Sequence, residues 1–279
     1  MSRPLIAVTG VTGHVGGLVG RQLRDAGADL VFLARDPTRV PDAAGVRVER
    51  AGYDDTEAAV TALRGVDLLF MVSGSESRDR VDQHRRFIDA AARAGVGHVV
   101  YTSFQGAAPD ATFTLARDHW ATEQHLRASG MAWTFLRDSL YLDFFPEMVG
   151  ADGVIRGPAG EGRVAAVARA DVARVAASVL LDPRAHEGAT YDVTGPEALS
   201  LDEVAEILTG VTRRPTSFHD ETLDEAYASR ASYGAPWWQV DAWVSTYTAI
   251  AGGQLSQVSD AVERLTGASP LSLEQLLRR

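Results

Sequence analysis

Short apolar runs that alternate with helical patterns constrain the fold of this chain more than any other feature. The runs are spaced along the first half of the sequence, at residues 5–9, 29–35, 45–53, 67–73, 98–103 and 132–137. Segments between them, such as 78–95 and 115–130, space their apolar residues as amphipathic helices do. Strands that alternate with helices form βαβ units, and right-handed crossovers then give a parallel sheet covered on both faces. The sequence therefore predicts an α/β fold with a Rossmann-like, doubly wound parallel sheet.

The alternation loosens beyond residue 150. Residues 164–183 indicate a short strand and then a helix that starts at Asp171, and residues 189–196 indicate one more strand. Asp171 is a tempting catalytic acid, but its position before an apolar helical pattern favours the role of helix N-cap.

The last part of the chain is mostly helical in pattern. Residues 200–210 predict a helix with Ser200 as its N-cap and Glu203 at the capping-box position. From about residue 197 onward we therefore expect a small, mostly helical lobe.

A glycine-rich turn follows the first predicted strand directly. In "VTGVTGHVG" the glycines fall at Gly10, Gly13 and Gly16, and a helical pattern begins at once. Ligands bind at the carboxyl edge of such a sheet, where the next helix presents free N–H groups and a partial positive charge. The glycines permit a tight turn, close approach of a pyrophosphate, and close packing of helix on strand. We therefore predict a dinucleotide site at this turn.

Two neighbouring residues at the end of the second strand point to different dinucleotides. Asp36 lies 20 residues after Gly16, where an acidic residue binds the ribose 2′-hydroxyl of NAD. Arg35 ends the run "FLAR" and can hold the 2′-phosphate of NADP instead, with help from Arg39. The stretch "DPTR" also predicts a helix start, with Asp36 as N-cap and Pro37 in the first helical position. We therefore expect NADPH rather than NADH.

Charge and composition exclude several classes of function. The formal net charge of −10 argues against a general nucleic-acid binder. The chain has no cysteine, and its 27 Lys+Arg residues are all arginine, so thiolate catalysis, a lysine Schiff base and a Tyr-x-x-x-Lys pair are impossible. The histidines and carboxylates share no ligand spacing, so we predict no metal site. No apolar run has the length of a membrane span, and we expect a cytoplasmic protein.

Six motifs in order carry a resemblance to a known family: "VTGVTGHVG", "LARDP", "AGYDD", "YTS", "RADVA" and "YDVTGP". They resemble the NmrA-like group of atypical short-chain dehydrogenase/reductases, and within it the NADPH-dependent quinone oxidoreductases. The likeness extends through about residue 210 and fades beyond it. It implies an NAD(P)-binding Rossmann domain over 1–150, crossover segments that complete the sheet and a substrate cleft over 151–196, and a small substrate-side lobe over 197–279.

The resemblance also implies which residues contact NADPH. Arg35 would hold the 2′-phosphate, and Tyr53 and Asp54 would lie beside the adenine. The pyrophosphate would lie on the glycine turn, and the nicotinamide ribose beside the segments that follow strands four and five. The implied cofactor contacts are Gly10, Thr12, Gly13, His14, Val15, Gly16, Arg35, Tyr53, Asp54, Ser73, Gly74, Thr102 and Ser103.

The source of a proton is left open by the sequence. Relatives that use a lysine have no counterpart here, whereas the quinone-reductase branch has a histidine where "DHWATEQHL" places His119. A near-neutral histidine can supply a proton, and a quinone needs little acid help. The alternative is that His119 is a helix residue that bridges to Glu123 at i+4. Tyr141, Ser103 and bound water are the other candidate donors.

Residues after strands five and six are the candidate walls of a substrate pocket. The corresponding family loop often opens with Arg-Asn, where this chain has Arg137-Asp138. The aspartate adds a charge and leaves the substrate class open. The predicted pocket residues are Phe104, Gln105, Asp138, Tyr141 and Phe144, and ordinary core packing is the alternative for the aromatic ones.

Two classes of function are compatible with these features. The first is an NADPH-dependent reductase that transfers hydride to a small, flat quinone-like or carbonyl acceptor. The second is a non-catalytic NADP(H)-sensing regulator of the NmrA type, and a pathway-specific reductase or isomerase in biosynthesis is a further alternative. The aromatic pocket walls favour the reductase. We expect a small-molecule substrate and no nucleic-acid or membrane partner, and the sequence leaves open whether the protein forms a homodimer.

Overall fold

The central feature of the structure is a seven-stranded sheet, seen in a computed structural model that describes residues 3–41 and 43–279. The strands of the chain are Leu5–Val8 (β1), Asp29–Ala34 (β2), Arg47–Arg50 (β3), Leu68–Met71 (β4), His98–Phe104 (β5), Ala132–Asp138 (β6), Val154–Gly157 (β7), Arg163–Val164 (β8), Thr190–Val193 (β9), Leu199–Ser200 (β10) and Ser217–Asp220 (β11). The large sheet has the order β3-β2-β1-β4-β5-β6-β9. Its β1–β2, β1–β4, β2–β3 and β4–β5 pairs are parallel, so the predicted Rossmann-like sheet is confirmed.

Helices connect most of these strands. They are His14–Asp25 (α1), Thr56–Ala62 (α2), Arg80–Ala94 (α3), Thr114–Ala128 (α4), Arg169–Leu181 (α5), Leu201–Thr212 (α6), Leu223–Arg230 (α7), Trp237–Ala251 (α8), Ala261–Thr266 (α9) and Leu273–Leu277 (α10). The helices predicted at 78–95 and 115–130 correspond to α3 and α4. The helical character predicted for the C-terminal part is confirmed by α6 to α10.

The strand order reverses at β1, and this positions the glycine turn. The chain runs outward from β1 to β2 and β3 on one side, and from β4 to β6 on the other. Val8, the last residue of β1, pairs in register with Phe32 of β2 and Phe70 of β4. The carboxyl ends of β1 and β4 are therefore neighbours at the point where ligands bind in doubly wound sheets.

The residues group into two compact units that interleave along the chain. The first unit consists of the described residues up to Ser103 together with Asp118–Arg137 and Val172–Tyr191. The second unit consists of Phe104–Arg117, Asp138–Asp171 and Asp192–Arg279.

Each unit has its own apolar core. In the first unit, Ala7, Val31, Leu69, Val99 and Phe135 come from five neighbouring strands and form one buried cluster with residues of α2, α3 and α4. The cluster of the second unit brings together apolar side chains of β7, β8, α6 and α8, which are Ile155, Val164, Leu201, Val204, Leu208, Ala249 and Ile250. A sheet strand whose every residue is buried, as in β4, explains the unbroken apolar runs of the sequence.

Three predicted helix caps have different outcomes. Ser200 and Glu203 form the predicted capping box of α6, with Glu203 N donating to Ser200 Oγ at 3.2 Å. Asp36 caps a 3₁₀ turn at Pro37–Arg39, as predicted. The N-cap role of Asp171 is wrong, because α5 begins two residues earlier, at Arg169. The buried Asp171 carboxylate instead accepts a hydrogen bond from Leu271 N at 2.7 Å and ties α5 to the C-terminal segment.

Candidate functional site

The turn between β1 and α1 presents backbone N–H groups without side chains in the way. Gly10 has a φ of +65°, a left-handed conformation that favours glycine, and Gly13 N donates to Gly10 O at 2.9 Å. Gly13 is the N-cap of α1 in extended conformation. Because glycine has no side chain to cap the helix, the first-turn amides stay available to an anion at the positive end of the helix dipole.

Gly16 has a packing role that no other residue can fill. A Cβ added there would lie 2.4 Å from the carbonyl oxygens of both Thr9 and Gly10. The helix therefore crosses the end of the strand at a distance that only glycine permits. Thr12, Gly13 and His14 are exposed on the turn, whereas the Val15 side chain is buried, so only the backbone of Val15 faces a ligand.

The end of β2 separates the roles of Arg35 and Asp36. Asp36 Oδ1 accepts hydrogen bonds from Thr38 N at 3.0 Å and from Thr38 Oγ1 at 2.6 Å. These bonds lower the pKa of Asp36 and commit its carboxylate to the turn. Arg35 is exposed immediately after the strand. A Cβ on Gly52 would lie 3.4 Å from Arg35 Cγ and 2.5 Å from Asp54 Oδ1, so Arg35 and Asp54 flank the same glycine.

Tyr53 links the ends of β1 and β4. Its hydroxyl donates to Val72 O at 2.5 Å and lies 2.8 Å from Thr9 Oγ1, which in turn accepts from Val72 N at 2.8 Å. The Tyr53 ring packs on Phe87 with ring centroids 4.4 Å apart. Tyr53, which we predict to lie beside the adenine, is thus held in place by the core of the first unit.

The segment after β4 is held by side chains from β5 and α3. Ser73 N donates to Thr102 Oγ1 at 2.8 Å, and Gly74 N donates to His84 Nε2 at 2.8 Å. Arg80 Nε donates to Gly74 O at 3.0 Å. Three of the predicted nicotinamide-side residues, Ser73, Gly74 and Thr102, are therefore brought together at the carboxyl edge of the sheet.

His119 lies inside the first unit. Arg80 Nη2 donates to His119 Nε2 at 2.9 Å, because a guanidinium can only donate. The ring proton is then on Nδ1, which lies 3.0 Å from the Tyr101 hydroxyl. Burial and the Arg80 charge lower the pKa of His119 well below its ordinary value. His119 is therefore a neutral imidazole with both nitrogens engaged.

Glu123 has a different set of partners. Its carboxylate accepts two bonds from Arg137, Nε at 2.8 Å and Nη2 at 2.7 Å, and one from Ser103 Oγ at 2.6 Å. Ser103, a predicted proton donor, therefore donates its hydroxyl proton to a buried ion pair. The ion-pair partner of Glu123 is Arg137, where the sequence had offered a bridge between His119 and Glu123.

In the second unit, Asp138 and Tyr141 form a buried pair. Tyr141 donates to Asp138 Oδ2 at 3.0 Å, and Asp138 Oδ1 has no hydrogen-bond partner within the described part of the chain. Burial raises the pKa of Asp138 well above its ordinary value. This shift favours the protonated carboxyl over the carboxylate at a position where the sequence adds an acidic residue.

The other predicted pocket residues fall into two groups. Gln105 is buried, with its N bonded to Asp138 O at 2.9 Å and its Nε2 to Gln257 O at 2.8 Å, while Oε1 has no partner among the residues described. Phe104 packs on Phe113 with centroids 4.8 Å apart. Phe144 is 49% exposed, whereas its neighbour Phe145 belongs to the core of the second unit.

Sequence reasoning missed Arg80, His84 and Thr122. His84 Nδ1 and Thr122 Oγ1 are 2.9 Å apart, and all three residues are buried. The available signal was spacing, since Arg80 and His84 stand four residues apart on α3, as Asp118 and Thr122 do on α4.

A comparison of the sequence with known families identifies the family of this chain. The sequence model of the NmrA-like family matches residues 2–229. The chain belongs to the NmrA-like family. The resemblance inferred from the glycine turn and the later motifs is therefore confirmed.

Relatives of this NmrA-like chain are named as reductases. It is 33% identical over 268 residues to the NAD(P)H azoreductase of Xenophilus azovorans, covering 94% of this chain and 93% of that protein. It is 37% identical over 270 residues to the (4-alkanoyl-5-oxo-2,5-dihydrofuran-3-yl)methyl phosphate reductase of Streptomyces griseus, with 94% and 93% covered.

A solved structure similar to this chain contains a nucleotide. The NmrA-like chain superposes on the Escherichia coli NADPH-dependent quinone oxidoreductase complexed with NADPH, with a TM-score of 0.89, 32% identity and 98% of each chain covered. Within residues 3–41 and 43–279, no helix combines the length and apolarity that a membrane crossing needs. No group of three or more metal-ligating side chains occurs among the same residues.

Proposed function

We propose that this chain is an NADPH-dependent reductase that transfers hydride to a small, flat quinone-like or other conjugated acceptor. The observation that carries the proposal is the glycine turn, whose uncapped amides lie at the switch point of the sheet, with Arg35 at the end of the next strand. Reductases of azo compounds, quinones and a conjugated furanone are all at least 32% identical over nearly the whole chain. The activities named for these relatives share one chemistry, the reduction of a conjugated acceptor.

The residues of the turn fit a pyrophosphate. The amides of residues 13–16 bind its oxygens, and the exposed Arg35 guanidinium binds a 2′-phosphate, because Asp36 is committed to Thr38. When bound, NADPH supplies the hydride. Gly10, Thr12, Tyr53, Asp54, Ser73, Gly74, Thr102 and Ser103 complete the cofactor contacts that we propose.

Of the three predicted donors, Tyr141 is favoured by its surroundings. His119 is neutral and both of its ring nitrogens have partners, while Ser103 donates to Glu123. Tyr141 instead donates to Asp138 Oδ2, and the second oxygen of that carboxyl has no hydrogen-bond partner among the described residues, so the pair retains polar capacity that an acceptor can use. Tyr141 therefore holds a polar atom of the acceptor, and Asp138 acts behind it.

Oxidation of NADPH by a panel of acceptors tests the proposal. The panel contains a quinone, an azo dye, a conjugated butenolide and a saturated ketone, each assayed with NADPH and with NADH. We expect turnover of the conjugated acceptors with a preference for NADPH, and little turnover of the ketone. Tight NADPH binding without turnover of any acceptor would contradict the reductase proposal and favour a non-catalytic NADP(H)-sensing regulator of the NmrA type.

Partners and location follow from the same proposal. We propose a small-molecule substrate, a homodimer and a cytoplasmic location, and the net charge of −10 supports the absence of a nucleic-acid partner. The ranges 1–150, 151–196 and 197–279 stay our predicted functional division. Size-exclusion chromatography with light scattering tests the dimer.

A further inference from the structure

Both polar atoms of the Gly74 peptide unit are bound by buried side chains. Gly74 N donates to His84 Nε2 at 2.8 Å, and Gly74 O accepts from Arg80 Nε at 3.0 Å. His84 is 0% exposed and Arg80 is 5% exposed. A Cβ added to Gly74 would lie 3.1 Å from His84 Nε2 and 3.5 Å from Tyr53 Cδ2, so the backbone itself packs against these rings.

A second layer of contacts fixes the two side chains that hold Gly74. Since His84 Nε2 accepts, its proton is on Nδ1 and is donated to Thr122 Oγ1 at 2.9 Å, and Thr122 donates to Asp118 O at 2.8 Å. Arg80 Nη2 donates to His119 Nε2 at 2.9 Å. The partners of the second layer all come from α4, so the orientation of Gly74 is set through two helices.

The burial of Arg80 and His84 costs free energy of folding, and the packing of the loop alone would not require that cost. A buried arginine needs compensation, and Arg80 Nη1 has only the carboxylate of Asp118 at 3.6 Å, beyond hydrogen-bond distance. Burial and the neighbouring Arg80 also lower the pKa of His84 to about 3. The segment thus organised follows β4, at the edge of the sheet where its strand order reverses.

We propose that Arg80 and His84 are positioning residues that hold the Ser73–Gly74 backbone in the shape that receives the nicotinamide half of the cofactor. The inference rests on the proposed function, which places Ser73 and Gly74 beside the nicotinamide ribose. Arg80 and His84 act through the Gly74 peptide and touch no ligand themselves. The adenosine half depends on other residues, at the glycine turn and Arg35, so the loss of Arg80 or His84 is selective for one half of the molecule.

The test compares a whole cofactor with a fragment. Affinities for NADPH and for 2′,5′-ADP, which lacks the nicotinamide half, are measured by titration calorimetry for the wild type and His84→Phe. The phenylalanine keeps a ring and removes both hydrogen bonds. We expect NADPH to bind about five- to tenfold more weakly and 2′,5′-ADP to bind as in the wild type. His84→Gln, which can accept from Gly74 and donate to Thr122, recovers most of the loss.

The matched control is a second buried histidine of the first unit. His98 opens β5, at the opposite edge of the sheet, and its Nε2 lies 2.9 Å from Thr134 Oγ1. His98→Phe removes a buried His–Thr bond of the same kind and lowers the melting temperature, but it leaves both affinities unchanged. If His84→Phe does not fold, Arg80→Lys takes its place in the test. This variant retains the charge but not the geometry, and it should weaken the binding of NADPH and not that of 2′,5′-ADP.

The outcomes separate the two hypotheses. Equal weakening of NADPH and 2′,5′-ADP, or the same effect from His98→Phe, would overturn the positioning role and leave the reductase proposal intact. A wild type that binds neither compound would overturn the proposed function and the positioning role with it.

Discussion

The two units of the molecule treat their buried polar side chains differently. In the first unit, His84, His119 and Glu123 have partners for their buried polar atoms, and among the buried side-chain atoms of its described residues only Arg80 Nη1 lacks a hydrogen bond. In the second unit, Gln105 Oε1, Asp138 Oδ1 and Ser139 Oγ are buried without a hydrogen-bond partner within the described ranges. Buried polar atoms in native proteins rarely lack partners without a functional reason.

The difference indicates two modes of ligand recognition. The first unit is pre-organised, so a cofactor meets backbone amides that are already in position. The second unit retains buried polar atoms that find no partner within the described chain and that a ligand can satisfy, and they lie around the Asp138–Tyr141 pair. A change at the cofactor-facing residues of the first unit should therefore alter cofactor affinity, whereas removal of an unsatisfied group in the second should increase stability.

The largest expected effect is that of Gly13→Val. Gly13 is exposed, its φ of −101° suits any residue, and a Cβ there would crowd only Gly10 O, at 3.3 Å, so the fold should persist with a small loss of melting temperature. The branched side chain would occupy the place of the pyrophosphate and remove charge-assisted bonds to the amides, so binding of NADPH and NADH should fall by more than about a hundredfold. Fluorescence titration measures both. Gly210→Val, at an exposed helix position with open space, is the control.

Arg35→Ala should have the next largest effect. Loss of one charge-assisted contact to the 2′-phosphate costs about 1.5–3 kcal/mol, which is roughly ten- to hundredfold in NADPH affinity, with little change for NADH. Arg47→Ala removes an exposed arginine from β3 and should change neither. Equal losses of affinity for NADPH and NADH would show that Arg35 does not bind the 2′-phosphate, and would favour Asp36 as the residue that selects NAD.

Asp138→Asn tests the second unit through the pH dependence of stability. The pKa of Asp138 is raised above 3.8 in the folded state, so above that pH the unfolded chain loses a proton that the folded chain keeps, and the wild type loses stability as pH rises. Asparagine does not titrate. The free energy of unfolding of Asp138→Asn should therefore exceed that of the wild type increasingly, by about 1.4 kcal/mol per pH unit, until the folded-state pKa is reached.

The opposite sign is expected for Asp152→Asn, which serves as the control. Its exposed carboxylate is bonded to Arg156, which lowers the pKa of Asp152. The wild type therefore gains stability as pH rises from the folded-state pKa of Asp152 to about 3.8, and above that pH the difference between it and Asp152→Asn stays constant. Urea denaturation from about pH 3 to 7 measures both variants, and a flat difference above pH 4 for Asp138→Asn would contradict the raised pKa of Asp138.

The smallest effect on catalysis is expected from His119→Phe. Removal of the imidazole takes one partner from the buried Arg80 Nη2 and one from the Tyr101 hydroxyl, which should cost about 1–3 kcal/mol of stability. At saturating NADPH, turnover of a quinone should fall by less than the ~10²-fold that loss of a general acid costs at minimum. A larger fall, together with an altered pH profile, would restore His119 as the proton donor.

The sequence predicts a structural feature correctly when the residues that produce the feature lie close together along the chain. The strands, the glycine turn and the Asp36 cap follow from residues a few positions apart, so periodicity and spacing were sufficient. The role of Asp171 was missed because its partner, Leu271, is 100 residues away. The contact between Arg80 and His119 spans 39 residues, and the ionisation of Asp138 depends on burial, which no spacing records.

The central claim, hydride transfer from NADPH held at the glycine turn, is tested most directly by an isotope effect. Single-turnover oxidation of NADPH deuterated at either the pro-R or the pro-S position of C4 is followed with a quinone in excess. Because a rigid first unit presents one face of the nicotinamide, we predict a primary isotope effect with one of the two deuterated cofactors and none with the other. Absence of an isotope effect with both, or a failure of either cofactor to be oxidised, would contradict the account.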